Sequence, residues 1–297
     1  MSTQMKRTKR HLLFVPAVLA GIFSMFIAQM AGAQDSANRV TVPLSDPSRP
    51  ATVRAHLLTG SITVKAYDGK EVIVEASSRD GESGPGRRYH GRESRDETSS
   101  EGLKRIPMVA TGLSVEAENN QVTIGTDSTR RAVDLTITVP VHTSLSLHTV
   151  NGGNITVTGV DGEMDINNVN GEVTLNNVAG SAVAHALNGR VLASFSRIDP
   201  KPMAFSSLNG NIDVTFPPSL KANISLRSDN GEVFSDFDVK LEPIAPRPTV
   251  EDDRQHGGVY RVKIEKTVRG TINGGGPEIQ FKNFNGNIYI RKAGGTK

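Results

Sequence analysis

Apolar residues recur through the middle of the chain with a fixed period. Five glycines follow one another at intervals of nine residues, at Gly153, Gly162, Gly171, Gly180 and Gly189. After each of the first four, the second, fourth and seventh places are apolar, as in Ile155, Val157 and Val160. Residues two apart lie on one face of a strand, and the seventh place breaks that alternation. Each unit therefore predicts a strand and a bend between the fourth and seventh places.

The glycines coincide with turn dipeptides, as at Asp161-Gly162 and Asn188-Gly189, since Gly, Asn and Asp tolerate positive φ. Two units make one coil, so Asn151, Asn170 and Asn188 recur 19 and 18 residues apart, and Asn209 and Asn230 follow after 21 each. The pattern predicts an all-β chain, a single-stranded parallel β-helix or solenoid with Asn-Gly corners. The alternative is a meander of antiparallel hairpins. Constant spacing favours the solenoid, because stacked coils need equal perimeters.

The first 50 residues divide into two segments. Residues 1–33 predict a signal peptide: four basic residues precede the apolar run from Leu12 to Ala28, and Ala31-Gly32-Ala33 fits a cleavage site. An uncleaved membrane anchor is the alternative for this segment. Residues 34–50 are polar, contain three prolines and predict a linker.

Glycine-led alternation extends over nearly all of residues 51–297, which we interpret as the β-solenoid domain. It begins at Gly60 and ends with the Asn-Gly-x-Ile-x-Ile unit at Asn285. Two segments interrupt it and predict irregular insertions. Residues 77–106 are highly charged and almost without apolar residues, and residues 241–258 contain three prolines.

Charge and cysteine content narrow the function classes. The chain has a net charge of +3, with 34 basic and 31 acidic residues. Residues 1–33 hold four basic and no acidic residues, so 30 basic residues face 31 acidic ones in the remainder, a net charge of −1. This balance does not favour nucleic acid as a partner. The absence of cysteine excludes disulfides and thiolate metal sites.

Several motifs resemble catalytic or ligand-binding sites, but each lacks part of the required chemistry. The segment 81–86 (GESGPG) has a serine without a positioned His and Asp. The segment 273–277 (NGGGP) lacks the Lys-Ser/Thr of a phosphate loop. Asp161 and Asp165 are too few for calcium between coils, and His142 and His148 too few for zinc. Acidic and basic residues show no column at the coil period. We therefore assign no catalytic, cofactor-binding or metal-binding residue and no cofactor.

Two further groups of polar residues have alternative interpretations. The corner asparagines, Asn151, Asn170, Asn188, Asn209 and Asn230, predict a hydrogen-bonded ladder rather than a row of ligands. A basic cluster spans residues 79–105, with seven Arg or Lys and six acidic residues. It predicts a solvated loop, and the alternative is a site for anionic glycans or lipid headgroups.

The segments 150–178 (VNGGNITVTGVDGEMDINNVNGEVTLNNV) and 271–290 (TINGGGPEIQFKNFNGNIYI) resemble the bacterial β-strand-repeat proteins known as putative adhesins, a family of unknown function. The resemblance covers residues from about 55 to 292. It implies a secreted or envelope location and no catalytic residues. We expect an exported, non-enzymatic adhesin or scaffold, located in the periplasm, at the outer membrane or outside the cell. The alternative is a protein that binds or processes cell-wall polysaccharide. The expected partner is an envelope polysaccharide or another protein, with membrane contact only through residues 1–33.

Overall fold

β-Strands form where the sequence alternates between apolar and polar residues. The computed structural model describes residues 39–78, 112–126, 132–243, 248–252, 260–264 and 267–294. No helix occurs among these residues, so the described chain is all-β. Accordingly, this part of the chain offers no helix with the length and hydrophobicity needed to cross a bilayer. The predicted signal peptide, the 77–106 insertion beyond Ser78 and the basic cluster lie outside the described residues.

Eleven strands make up the amino-terminal half: β1 Arg39–Pro43, β2 Ala51–Thr59, β3 Ile62–Tyr67, β4 Glu71–Ser78, β5 Leu113–Glu118, β6 Gln121–Thr126, β7 Val133–Pro140, β8 Thr143–Asn151, β9 Ile155–Thr158, β10 Asp161–Asn168 and β11 Val173–Asn188. The other eleven are β12 Val191–Ile198, β13 Met203–Asn209, β14 Ile212–Phe216, β15 Ala222–Asn230, β16 Val233–Ser235, β17 Val239–Leu241, β18 Pro248–Asp252, β19 Tyr260–Ile264, β20 Val268–Ile272, β21 Glu278–Asn285 and β22 Ile288–Lys292.

Twenty of these strands belong to one sheet, which consists of two ladders. The first ladder runs in the order β5, β6, β2, β8, β10, β11, β13, β21, β15, β20 and β17. The second runs in the order β1, β4, β7, β3, β9, β11, β12, β14, β22 and β16. The strand β11 belongs to both, because Val173–Asn176 pairs with β9 of the second ladder, whereas Ala179–Asn188 pairs with β10 and β13 of the first.

The strands of successive repeats pair in parallel, as the constant spacing predicts. Strands β6 to β15 of the first ladder and β7 to β16 of the second are all parallel to their neighbours. Antiparallel strands complete the ends: β5, β20 and β17 in the first ladder, and β4 and β1 in the second. Glu116 and Glu118 are exposed on β5, and such charges discourage pairing with another sheet edge.

Corners ending in glycine join strands of the first ladder to strands of the second; from β8 onward they are of the Asn-Gly type, and the corner between β2 and β3 is Thr59-Gly60. We call one such pair of strands with its corner a coil. The glycines of neighbouring coils stack so closely that a Cβ on Gly171 would lie 2.1 Å from the carbonyl oxygen of Gly153, and one on Gly189 2.0 Å from that of Gly171. Glycine is required at both corners by this close approach, since neither residue has a positive φ.

The seventh-place residues divide into two groups, which the period of nine does not reveal. Val160 and Val178 are fully buried, after bends at Gly159 (φ 72°) and Asn177 (φ 49°). The predicted bend is thus confirmed in these two units. In the other two units the alternation of inward and outward side chains continues past the fourth place, to Asn168 and Ala186, so the bend predicted there is wrong. Leu187 consequently faces outward and is 45% exposed.

The chain order of the coils is broken at the carboxyl end. The last coil, β21 and β22, lies between the coil of β13 and β14 and the coil of β15 and β16. Asn285 therefore pairs with Asn209 on one side and Asn230 on the other. All three corners carry the same Asn-Gly dipeptide, so the sequence does not distinguish them. From their order in the chain, Asn230 would be expected beside Asn209.

Apolar side chains from both ladders fill the interior. Phe205 is fully buried and stacks on Phe281 at 5.4 Å between ring centroids, while Phe216 contacts both rings edge-on at 6.3 and 6.5 Å. Phe195 completes the cluster by stacking on Phe216 at 5.5 Å. Offset and edge-to-face arrangements of this kind stabilise a core beyond the area that they bury. The cluster holds the last coil in place, because Phe281 belongs to β21.

Two segments predicted to be irregular contain strands. Within the predicted linker, residues 34–50, β1 pairs antiparallel with β4, and Val42 and Leu44 are buried. Only Val40 and Val42 alternate in β1, a signal too short to recognise in the sequence. Within residues 241–258, β18 pairs antiparallel with β19 in a separate two-stranded sheet. Its first residue is Pro248, and proline is tolerated at the start of a strand.

Candidate functional site

A groove of about 610 Å³ crosses the outer face of the first ladder. We call it the polar groove after the charged and hydroxyl side chains along it, which share the lining with Leu145, Met164, Ala182 and Val183. It spans β2, β8, β10 and β11 and continues to the segment before β13. Its polar lining includes Arg54, Ser144, Ser146, Glu163, Asp165 and Lys201. Side chains alternate across a strand, so outward positions of neighbouring parallel strands form straight rows. Residues distant in the chain thereby come together along the groove.

Two rows of the groove follow directly from strand register. Arg54, Ser146 and Asp165 occupy one row, on β2, β8 and β10. Glu163 lies opposite Ser181 in the adjacent row, and its backbone N–H donates to Ser144 Oγ at 3.4 Å. Arg54 and Asp165 make no hydrogen bond or ion pair with any other residue that the structure describes. Both groups are thus available to a ligand.

Ion pairs border the groove at the end where β10 begins. Lys201 pairs with Glu163, and this hydrogen bond raises the pKa of Lys201 above its usual value. Arg197 donates to Asp161 at 2.6 Å and also pairs with Asp199, and these bonds raise the pKa of Arg197. Both cations therefore stay charged over the physiological range.

Three separate ion pairs join residues that are one or two coils apart. Glu172 accepts from Arg190 at 2.6 Å across 18 residues, which is one coil. The pairs Asp161–Arg197 and Glu163–Lys201 span 36 and 38 residues, which is two coils.

The corner asparagines form the predicted ladder. Each amide Nδ2 donates to the Oδ1 of the next asparagine, at distances of 3.4 Å (Asn170 to Asn151), 2.9 Å (Asn188 to Asn170), 2.8 Å (Asn209 to Asn188), 2.8 Å (Asn285 to Asn209) and 3.0 Å (Asn230 to Asn285). All five bonds point the same way, so the ladder is a continuous chain that polarises its members. The side chains are occupied with one another, which leaves the ladder a structural feature of the corners.

The two candidate zinc ligands lie apart. His142 Nδ1 is 3.5 Å from Asp161 Oδ2, and its side chain is 74% exposed. His148 stacks on His56 with 5.0 Å between ring centroids. Burial lowers the pKa of His148, and the neighbouring His56 lowers it further, while Asp165 raises it. Within the part of the chain that the structure describes, no three His, Asp or Glu side chains are grouped in a way that could hold a metal ion.

The His56–His148 stack predicts a pH-dependent stability. The unfolded imidazole, with a pKa of about 6.5, binds protons more readily than folded His148, so protonation favours unfolding as the pH falls below that value. We expect the thermal midpoint to drop between about pH 7.5 and about pH 5.5, and to drop less in His148→Gln. His142→Gln is the matched control, because its side chain is largely exposed. Equal pH profiles for wild type and His148→Gln would contradict the argument.

The remaining motifs take structural positions or fall outside the described residues. Asn273, Gly274 and Gly275 have φ values of 49°, 87° and 85° and form the turn between β20 and β21. Asn273 Nδ2 donates to the carbonyl of Leu220 at 2.7 Å, which fastens this turn to the start of β15. The segment 81–86 lies outside the described residues.

Comparison with known proteins yields structural neighbours. No family model matches the chain. No curated protein matches it either. A putative cell adhesion protein of Clostridium sporogenes is 10% identical, with 86% of this chain and 99% of that one covered and a TM-score of 0.38. A putative adhesin of Bacteroides fragilis is 13% identical, with 86% and 98% covered and a TM-score of 0.32. Both of these neighbours are named as adhesion-type proteins, the kind of family that the Asn-Gly repeat resembles.

Proposed function

We propose that this chain is an exported envelope protein that binds an extended polysaccharide along a β-solenoid surface and acts as an adhesin or scaffold without catalytic activity. The observation that carries the proposal is the polar groove, whose lining side chains stand in rows across successive coils. Parallel strands repeat about every 4.8 Å, so the rows present hydrogen-bonding groups at regular intervals along the stack. An extended polymer of repeating units can contact such a surface at several successive coils.

Three features support a solenoid. Seven corners stack in register, at Gly60, Gly153, Gly171, Gly189, Gly210, Gly286 and Gly231. The asparagine ladder links six of these corners by hydrogen bonds in one direction. Antiparallel strands close the ends of the first ladder, which suits a soluble stack of coils because terminal repeats need protected edges.

The chemistry of the groove favours saccharide binding. It offers a free guanidinium at Arg54, a free carboxylate at Asp165 and the hydroxyls of Ser144 and Ser146. Guanidinium and hydroxyl groups donate, while carboxylate and hydroxyl oxygens accept, which matches the many hydroxyls of a sugar. Glu163 is held by Lys201, and a carboxylate that is held as an ion pair is poorly suited to serve as a general acid.

The proposal predicts that Arg54→Ala weakens glycan binding. The protein is tested against peptidoglycan, lipopolysaccharide O-chains and capsular polysaccharide by co-sedimentation and calorimetry. We expect at least one glycan to bind, and Arg54→Ala to weaken it by about tenfold or more, since a hydrogen bond to a charged group contributes roughly 1.5–3 kcal/mol. Lys65→Ala is the matched control: Lys65 is exposed on β3 of the same coil, but in the second ladder.

Three outcomes would count against the proposal. Binding to none of the glycans would remove the polysaccharide partner. Equal loss in Arg54→Ala and Lys65→Ala would show that the groove is not the binding surface. Release of shortened oligosaccharides from any glycan would end the non-enzymatic interpretation and favour a polysaccharide-processing protein.

A further inference from the structure

An apolar ridge runs along the outer face of the first ladder, beside the asparagine corners. It consists of the residues directly before the corner position on six successive strands: Leu58, Val150, Val169, Leu187, Leu208 and Phe284. Leu58 and Leu208 are 40% exposed, and Leu187 and Phe284 are 45% exposed. With strands about 4.8 Å apart, the ridge is roughly 24 Å long.

The row next to the ridge on the same face is basic. Its titratable members are His56, His148, His185, Lys282 and Arg227, and Asn167 and Ser206 occupy the positions between them. Neither the ridge nor this row contains a carboxylate on the six strands from β2 to β21. On β15 the ridge position is Asp229, whose carboxylate is 3.4 Å from Arg227.

We propose that the apolar ridge and its basic row dock the protein on a lipid bilayer that carries anionic headgroups. The apolar side chains enter the boundary between headgroups and acyl chains, while the adjacent cations remain at headgroup level. Polybasic and apolar surfaces reinforce each other in this way at anionic membranes. This surface lies outside the polar groove and is independent of the polysaccharide proposal. It also departs from the expectation that only residues 1–33 meet a membrane.

The size of the ridge favours a lipid surface over a second copy of the chain. Its exposed side chains present roughly a few hundred Å² of apolar area, the range in which surface patches are often functional. A stable protein interface buries about 800 Å² on each partner, with a well-packed apolar centre. A bilayer needs no complementary shape, because individual side chains insert into it separately.

The histidines make the docking depend on pH. The charged groups around them are Arg54 on β2, Asp165 on β10, Lys282 on β21, and Arg227 and Asp229 on β15. An imidazole gains positive charge as the pH falls through about 6.5. His185 Nδ1 is hydrogen-bonded to Ser206 Oγ, and burial lowers the pKa of His148, with the neighbouring His56 lowering it further. Acidification therefore adds positive charge next to the ridge.

The test is co-sedimentation of the protein with vesicles of phosphatidylglycerol and phosphatidylethanolamine, or of phosphatidylcholine alone. We expect binding to the anionic vesicles that strengthens from about pH 7.5 to about pH 5.5 and weakens with salt. The double variant Leu187→Asp, Leu208→Asp lowers the vesicle partition coefficient by about tenfold or more, since each methylene group withdrawn from the bilayer reduces that coefficient roughly fourfold. Leu241→Asp is the matched control, because Leu241 is 63% exposed on β17 and outside the ridge.

A second variant separates charge from apolar contact. Lys282→Gln keeps the ridge intact and weakens binding to anionic vesicles at low salt only. The proposal is overturned if no anionic vesicle binds at either pH, if both vesicle types bind equally, or if the double variant binds like the wild type. It is also overturned if sedimentation shows a dimer that the double variant dissociates, since a second copy would then cover the ridge.

Discussion

Replacing Phe281 by alanine lowers the free energy of unfolding by about 3–5 kcal/mol, the cost of removing a large buried aromatic side chain and leaving a cavity. Phe281 has no exposed surface and stacks on Phe205 while meeting Phe216 edge-on. It belongs to β21, which is paired on one side with β13 and on the other with β15. The cavity would therefore open in the middle of the stack. Urea unfolding followed by circular dichroism measures the change.

Phe284 supplies the control for this prediction on the same strand. It is three residues further along β21, faces outward and is 45% exposed. Phe284→Ala should change the free energy of unfolding by no more than about 0.5 kcal/mol. If Phe281→Ala cost as little as Phe284→Ala, then β21 would lie at the periphery, and the insertion of the last coil between β13 and β15 would be wrong.

The inserted coil shows what a repeat can and cannot predict. Parallel pairing and the asparagine ladder follow from the constant spacing, because coils of equal perimeter place like residues above one another. The order of the coils does not follow, since Asn209, Asn230 and Asn285 carry the same corner and any two of them could be neighbours. One signal was present in the sequence. Phe205 and Phe281 occupy equivalent places four residues before their corners, and large buried rings pack best against each other.

The candidate site was missed for a different reason. Arg54 and Ser146 are neighbours in one row of the groove, but 92 residues separate them in the chain. The strands between them pair with other parts of the sheet, so no repeat spacing connects the two. Ser144 and Glu163 are only 19 residues apart and could have been aligned. Their shared outward position becomes informative only once strand register places Arg54 and Asp165 beside them.

The apolar ridge shows how a hydrophobic pattern can mislead. Val169 and Leu187 hold the same place in their units as the buried Val160 and Val178, and a period of nine treats all four alike. The structure repeats once per coil, and each coil contains two units of nine residues. The seventh residue of one unit faces inward, whereas the seventh residue of the other unit faces outward. An apolar residue is expected in a core, so its recurrence at an outward position is the observation that points to a docking surface.

The glycine corners lead to the second large prediction. Gly189→Ala lowers the free energy of unfolding by about 3 kcal/mol or more, because overpacking against fixed backbone costs at least as much as it does in a crowded core. The new Cβ would lie 2.0 Å from the carbonyl oxygen of Gly171 and 2.5 Å from its carbonyl carbon. Both are backbone atoms of the adjacent coil, so the two coils must separate. The separation stretches the hydrogen bond that Asn188 Nδ2 donates to Asn170 Oδ1, which is 2.9 Å long.

Gly125→Ala is the matched control for the corner glycine. Gly125 lies on β6, has no positive φ, and nothing would approach its Cβ within 4 Å. Alanine there should leave the free energy of unfolding unchanged or raise it by roughly 0.4–1 kcal/mol, because alanine reduces the conformational entropy of the unfolded chain. The measurement is urea unfolding of both variants beside the wild type. Similar small effects at Gly189 and Gly125 would mean that the corners tolerate a side chain, and tight stacking of the coils would no longer explain the glycine period. A large loss confined to Gly189 would instead identify the carbonyl-to-glycine contact as the feature that sets the period of the chain.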